Sequence, residues 1–264
     1  MFDHKVKSFI HQFRQSPRYA IRRLVGYFQP PLYLFQMGKV GSNTHMNTLQ
    51  LQYRIYHSHT AEDFISKLER NNNNEQVIEL ITATRDPVSR KVSTFFQNII
   101  DGPYDYAFGS QEKVLDAGMD ELLRRFQTWQ EGIEEATGWF DKHFFSATGI
   151  DVYANPFEKD KGWQIIEQGK WRVLILRYED ISVNHVDALN DFVSRRYGDR
   201  VTYKELKSKN LSSGKWYSGL MKTFYEQIKF SQEEMAAAYD SKYAHHFYSD
   251  DELRKMKARW NHQG

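Results

Sequence analysis

Three short runs, Leu32–Gln36, Val77–Thr84 and Arg172–Arg177, are rich in apolar residues, aromatic in the first and β-branched in the other two. Each is followed by turn residues and then by a helical pattern. Runs of this kind between turn signals read as strands buried on both faces. Strands that alternate with helices need right-handed crossovers and a parallel sheet covered on either side. The expected fold is therefore α/β, a P-loop-like three-layer α/β/α domain with a central, mainly parallel sheet.

Other elements follow from local chemistry. A helix is expected over Thr44–Gln52, a second short strand over Tyr53–Tyr56 and a charged amphipathic helix over Ala61–Arg70, with Asn71–Asn74 as a polar turn. Asp86 can cap a helix and Pro87 suits its first position, so a helix runs from Pro87 to about Ile100 and buries Val88, Val92, Phe95 and Phe96. Glycines near 101–110 break the pattern before one long helix over about Met119–Thr137. Residues 150–163 read as irregular or hairpin structure with a turn at Asn155-Pro156. A helix follows near Val183–Arg196, and from Lys204 a loop gives way to helix. No repeat or low-complexity linker divides the 264 residues, which suit one domain over 30–264 behind a basic N-terminal segment, 1–29.

Charge and composition exclude several functions. With 36 basic and 34 acidic side chains the net charge is only +2, so no general basic surface for nucleic acid exists and any basic site is local. Cysteine is absent, which rules out disulfides, a thiolate nucleophile and cysteine-ligated zinc. No apolar run reaches the roughly 20 residues of a membrane-spanning helix. The first residues lack the apolar core of a signal peptide, so a cytoplasmic protein is expected. Phe2, Val6, Phe9, Ile10 and Phe13 fall at helical spacing among Lys5, Lys7, Arg14, Arg18, Arg22 and Arg23. That pattern suits a helix lying on the acidic inner face of a membrane, or an ordinary amphipathic helix packed on the domain.

The stretch from Phe35 to Thr44 runs strand, glycine loop, helix. Gly38 and Gly41 allow close backbone approach, and the free amides of Val40, Gly41, Ser42 and Asn43 at a helix start point toward an anion. Ser42 and Thr44 add hydroxyls, and Lys39 adds a full charge. A magnesium-binding Walker A loop carries its lysine after the second glycine, whereas Lys39 precedes Gly41, which disfavours a kinase or nucleotidase. A second basic site follows Thr84: Arg85 can grip a phosphate with two bonds, and Ser93, two helical turns on, can donate to the same group. Of Arg90 and Lys91, one is expected to face solvent. Both sites would lie beyond the carboxyl ends of the strands, where ligands of parallel sheets gather.

The glycine loop and the arginine-to-serine pair, eight positions apart, together resemble the phosphosulfate and 3′-phosphate motifs of the sulfotransferase superfamily. Gly214-Lys215-Trp216-Tyr217-Ser218 and Phe247-Tyr248-Ser249-Asp250-Asp251-Glu252 resemble, more closely, a capsular polysaccharide synthesis family named for an Asn-Lys-Trp-Tyr-Ser signature. Gly214 stands where that signature has asparagine. The resemblance implies a single sulfotransferase-like domain that uses 3′-phosphoadenylyl sulfate (PAPS) as donor, a carbohydrate hydroxyl as acceptor and no metal. It also implies that a late loop, Ser213, Gly214, Lys215 and Trp216, closes over the nucleotide. For Trp216 and Tyr217 plain core packing is the competing reading.

In-line sulfuryl transfer needs a stabiliser of the leaving oxygen, for which Lys39 is the candidate, and a base. Related glycan sulfotransferases carry a histidine or glutamate base after the second strand, which by position implies His57, with His59 the alternate. Glu179 and Asp180 are weaker candidates in a run expected to be structural. The His57-Ser58-His59 pair has no third ligand nearby to make a zinc site, and His245-His246 reads as surface or packing. A non-catalytic nucleotide- or glycan-binding protein on the same fold is the remaining alternative.

Overall fold

The computed structural model describes residues 29–71, 76–129, 131–207 and 215–260. The expected N-terminal helix, apart from Gln29, lies outside these residues, as do most of the Asn71–Asn74 turn and both Ser213 and Gly214.

Five strands form one sheet: Pro31–Phe35 (β1), Arg54–Ser58 (β2), Ile78–Thr84 (β3), Trp163–Gln168 (β4) and Trp171–Arg177 (β5). Their order is β2-β1-β3-β5-β4, with β4 alone antiparallel at one edge. The helices are Ser42–Leu49 (α1), Ala61–Asn71 (α2), Pro87–Gln97 (α3), Gln111–Thr128 (α4), Glu131–Thr137 (α5), His185–Tyr197 (α6), Ser218–Gln227 (α7), Gln232–Tyr239 (α8), Lys242–Phe247 (α9) and Asp250–Trp260 (α10). Helices cover the sheet in the three-layer α/β/α arrangement. Every residue of β1, β3 and β5 is buried, as parallel strands covered on both faces must be.

From β1 the chain crosses to β2 on one side, and from β3 to β5 on the other. The order therefore reverses between β1 and β3, which opens a crevice beyond their carboxyl ends. Aromatic packing fixes one wall of it. Phe35, the last residue of β1, stacks on Phe64 of α2 at 4.4 Å and meets Trp139 at 5.0 Å and Phe144 at 5.9 Å. Such pairs add about 0.5–1.5 kcal/mol each beyond their buried area. Trp139 leads into a π-helical turn, Phe140–Phe145, that points Phe140 and Phe144 inward.

Two buried histidines join α1 to α6. His185 Nε2 lies 2.9 Å from the Arg177 carbonyl, which can only accept, so His185 carries its proton there. Its Nδ1, 3.0 Å from His45 Nε2, then accepts from His45. Burial holds His185 down to about 4, and burial and His185 hold His45 well below the usual range, so the pair is neutral.

Several boundaries differ from the sequence reading. The second strand is Arg54–Ser58, so His57 lies inside it rather than after it. The long helix expected over Met119–Thr137 is two helices. The first starts at Gln111, capped by Ser110, and bends at Gly118, where φ is +73°. It ends because Trp129 leaves helical geometry to pack its indole on Tyr104, Tyr106 and Phe126. Strand β4 was not expected: only two of its six residues are buried at the sheet edge, which blurs the apolar signal. Among the described residues no helix is long and apolar enough to cross a membrane.

Acid should unfold this chain through its histidines. His45, His57 and His185 titrate below their unfolded value of 6.5, so the unfolded chain binds protons that the folded one refuses. Their contribution is complete above about pH 6.5 and is lost as pH falls toward about 4. The urea midpoint is expected to drop across that window, and a His45→Gln/His185→Gln variant to show a flatter drop. An unchanged slope would remove the pair as its source.

Candidate anion site and adjoining cleft

After β1 the chain turns through Met37–Gly41 into α1. Lys39 adopts φ +71°, the one left-handed non-glycine backbone among the described residues, and Gly41 follows at +88°. A Cβ on Gly41 would stand 3.1 Å from Ile181 Cδ1 and 3.2 Å from Tyr178 Cδ2, so glycine is required by space as well as by angle. Gly41 is the N-cap of α1 and no side chain caps it, which leaves first-turn amides open toward the crevice. Gln36, fully buried, donates to Ser42 Oγ at 2.7 Å and ties the start of the loop to the helix. Val40 and Thr44 are buried, Gly38 and Ser42 half-buried and Asn43 exposed.

Four cations meet here. Lys39 is held down to about 8, first by burial and then by Lys215, Arg85 and Arg90. Its ammonium donates to Gln97 Oε1 on α3. Arg85 follows β3, donates from Nη1 to the Lys39 carbonyl at 2.8 Å and lies over the Tyr178 ring at 4.4 Å. Arg90 donates from Nε to the Gly38 carbonyl at 3.2 Å and pairs with Glu135 Oε2 at 3.5 Å. Among the described residues no carboxylate forms an ion pair with Lys39, Arg85 or Lys215. Cations left unneutralised beside open helix amides are a strong attractor for an anion.

Helix α3 supplies one side of the site. Arg90 and Gln97 both reach the loop, and Ser93, half-buried, shares their face at i+3 and i+7 spacing. Lys91 does not belong to it. The expectation that Arg90 or Lys91 faces solvent fails for both: Arg90 is 6 % exposed and Lys91 is fully buried, paired with Glu234 at 2.9 Å and lying over Phe126. Each guanidinium or ammonium found a carboxylate that sequence spacing does not reveal.

The Tyr178-Glu179-Asp180 run is structural. Glu179 Oε1 accepts the Asp86 amide at 2.9 Å and Oε2 accepts the Tyr248 hydroxyl at 2.9 Å; burial raises its pKa above the ordinary range. Asp86 caps α3 and also accepts the Tyr239 hydroxyl at 2.9 Å. Asp180 pairs with Arg177 at 2.5 Å. The Tyr243 hydroxyl contacts both the amide and the carbonyl of Arg85 at 2.9 Å. Lys215 approaches the loop from the late part of the chain. Beside it Tyr217 packs on Phe96 at 5.6 Å, whereas Trp216 is 39 % exposed. Of the two aromatic residues, only Tyr217 is core.

A cleft of about 580 Å³ adjoins the loop, lined by Met37 and Gly38, by His59, Arg90 and Trp139, and by Glu134, Glu135, Gly138, Lys142 and His143. His59 is in it and His57 is not. His59 Nδ1 lies 2.7 Å from the Gln36 carbonyl, so it carries the proton and Nε2 keeps its lone pair. The indole of Trp139 donates to the His59 carbonyl at 2.8 Å. His57 stands edge-on to His59 at 4.4 Å; burial, then His59 and Lys67, hold it down to about 4, and its Nε2 is buried without a partner. Gln97, Glu134, Glu135, Lys142 and His143 are additions to the sequence reading. The last four sit on a helix with a π-helical turn that brings its polar edge to the cleft, a geometry with no sequence signature. Among the described residues no three histidine, aspartate or glutamate side chains gather as metal ligands.

A family model described as "Putative capsular polysaccharide synthesis protein" matches residues 118–249. No curated protein and no solved structure matches the chain. The matched stretch holds the cleft wall on α5, the Tyr178–Asp180 run and Lys215; the glycine loop, His59 and Arg85 precede it.

Replacing Gly41 with alanine should cost about 1–2 kcal/mol, the price of a side chain at left-handed φ against fixed neighbours. Chemical denaturation reads that loss, and pyrophosphate titration should show weaker binding in the same variant. Wild-type values in both would mean that Tyr178 and Ile181 yield to the new methyl group.

Proposed function

Given that the chain belongs to the capsular polysaccharide synthesis family, we propose that it is a sulfotransferase. It moves the sulfuryl group of PAPS to a hydroxyl of a carbohydrate acceptor. The reading is carried by the cluster of Lys39, Arg85, Arg90 and Lys215 at the β1/β3 crevice, of which only Arg90 pairs with a carboxylate among the described residues, bordered by a cleft that holds a histidine. A donor with a 5′-phosphosulfate and a 3′-phosphate supplies the two separated anions such a site lacks.

The 5′-phosphosulfate rests on the loop from Gly38 to Thr44, with Lys39 against the bridging oxygen. Arg85 and Ser93 take the 3′-phosphate, and Lys215 with Trp216 closes the nucleotide from the other side. The acceptor oxygen attacks sulfur in line from the cleft. As the new S–O bond forms, the bond to the bridging oxygen breaks, and the charge left there is met by Lys39. The acceptor proton passes to His59 Nε2, whose tautomer is set by the Gln36 carbonyl. His57, neutral and half-buried, supports the His59 ring and does not touch the acceptor.

The first test is calorimetric titration with adenosine 3′,5′-bisphosphate (PAP), AMP and ATP without magnesium. Binding of PAP well above AMP is expected; equal binding removes the 3′-phosphate site at Arg85 and Ser93. Affinity for PAP should fall as pH rises through about 8, where free Lys39 loses its proton and binding must restore it. Lys39→Arg should abolish that slope between pH 7 and pH 9. His59→Ala is expected to lower turnover by about 10²–10⁴-fold with PAP affinity unchanged. Full turnover in that variant would sink the assignment of the base.

A further inference from the structure

The cleft wall carries charges the transfer chemistry does not use. Glu134, Gly138 and Lys142 follow one another at four-residue spacing, each backbone amide bonded back to the preceding carbonyl at 2.9 Å. They therefore share one face of the helix that borders the cleft. At 1.5 Å per residue Glu134 and Lys142 stand about 12 Å apart along it. Arg90 and Glu135, which also line the cleft, pair with each other at 3.5 Å. Glu134 and Lys142 are exposed, and neither forms an ion pair among the described residues. Lys142 lies within electrostatic reach of Glu62 on α2 without pairing with it.

Two histidines that line the same cleft have opposite hydrogen-bond character. His143 Nδ1 accepts the Ala61 amide at 3.4 Å, so its proton is on Nε2, which donates. Burial lowers its pKa and keeps it neutral. His59 presents the reverse, a lone pair on Nε2. The cleft thus offers an anion, a cation, a donor and an acceptor in a volume of about 580 Å³, within the usual range of about 300–1,000 Å³ for small-molecule sites. A neutral sugar would meet the two hydroxyl-binding histidines and leave both charges unanswered.

We propose that the acceptor is a zwitterionic saccharide of two residues, with a free ammonium group placed at Glu134 and a carboxylate placed at Lys142. This rests on the sulfotransferase reading and names the acceptor for the same site. The span between the two side chains matches two linked pyranose rings better than one. The hydroxyl to be sulfated then lies between the charged ends, beside His59, and the ammonium–carboxylate axis sets which hydroxyl is presented.

The test compares sulfation from PAPS of four disaccharides: neutral, uronate-bearing, free-amine-bearing and bearing both. Wild-type protein is expected to prefer the last by about three- to tenfold over each singly charged one, as half-exposed charge pairs allow. Lys142→Glu should erase the carboxylate preference and Glu134→Gln the amine preference, each with PAP affinity unchanged. Sulfation with the same ranking in both variants, or a flat ranking in wild type, overturns the acceptor inference and leaves the sulfotransferase reading standing. PAP binding with no sulfation of any of the four also overturns it. Loss of PAP preference over AMP in wild type overturns the parent reading instead.

Discussion

Strands β3 and β5 run side by side to Thr84 and Arg177, and beyond those residues nothing in a sheet holds their loops together. A single carboxylate does. Glu179 takes the Asp86 amide with one oxygen and the Tyr248 hydroxyl with the other, so the exits of two strands and the start of the last helix converge on one side chain. Asp86, fixed in that way, caps α3 and takes a second hydroxyl from Tyr239. Tyr243 then grips Arg85 by its backbone. A carboxylate drawn out of water is costly unless its lone pairs are answered, and here donors come from two separate segments. The orientation of Arg85, and with it half of the anion site, follows from this arrangement.

The loop depends on the same region. Tyr178 adjoins Glu179, lies over the Arg85 guanidinium and fills the space a side chain on Gly41 would need. Arg85 and Arg90 in turn hold the carbonyls of Lys39 and Gly38. Donor loop, arginine and tyrosine thus brace one another across the point where strand order reverses. The cleft is held differently, by aromatic packing of Trp139, Phe140 and Phe144 around Phe35. One is a polar frame and the other an apolar one, and Arg90 touches both.

Much of the framework was legible because it depends on local chemistry. Apolar runs gave β1, β3 and β5; Asp86-Pro87 gave the start of α3; the spacing of Gly38, Lys39 and Gly41 gave the tight turn from β1 into α1. What was not legible depends on partners distant in sequence. One of Arg90 and Lys91 was expected to face solvent because their partners, Glu135 and Glu234, lie 45 and 143 residues away. Trp129 ended a helix that its own neighbours favoured, because Tyr104 and Tyr106 accepted its ring. His57 and His59 could not be told apart in the sequence, since the choice rests on where β2 ends and on a bond to the Gln36 carbonyl. The cleft residues of α5 and the π-helical turn gave no signal at all, as their role comes from a helix phase that spacing rules do not anticipate.

The backbone of Lys39 draws these threads into a single consequence. A lysine in left-handed geometry, partly desolvated and surrounded by like charge, is a frustrated residue: every local term would be improved by another amino acid. A chain selected for robustness alone would place a glycine or an asparagine there and neutral residues around it. A polyanion bound there, as the sulfotransferase reading requires, would relieve repulsion as well as form bonds, so part of its affinity would come from strain already present in the free protein.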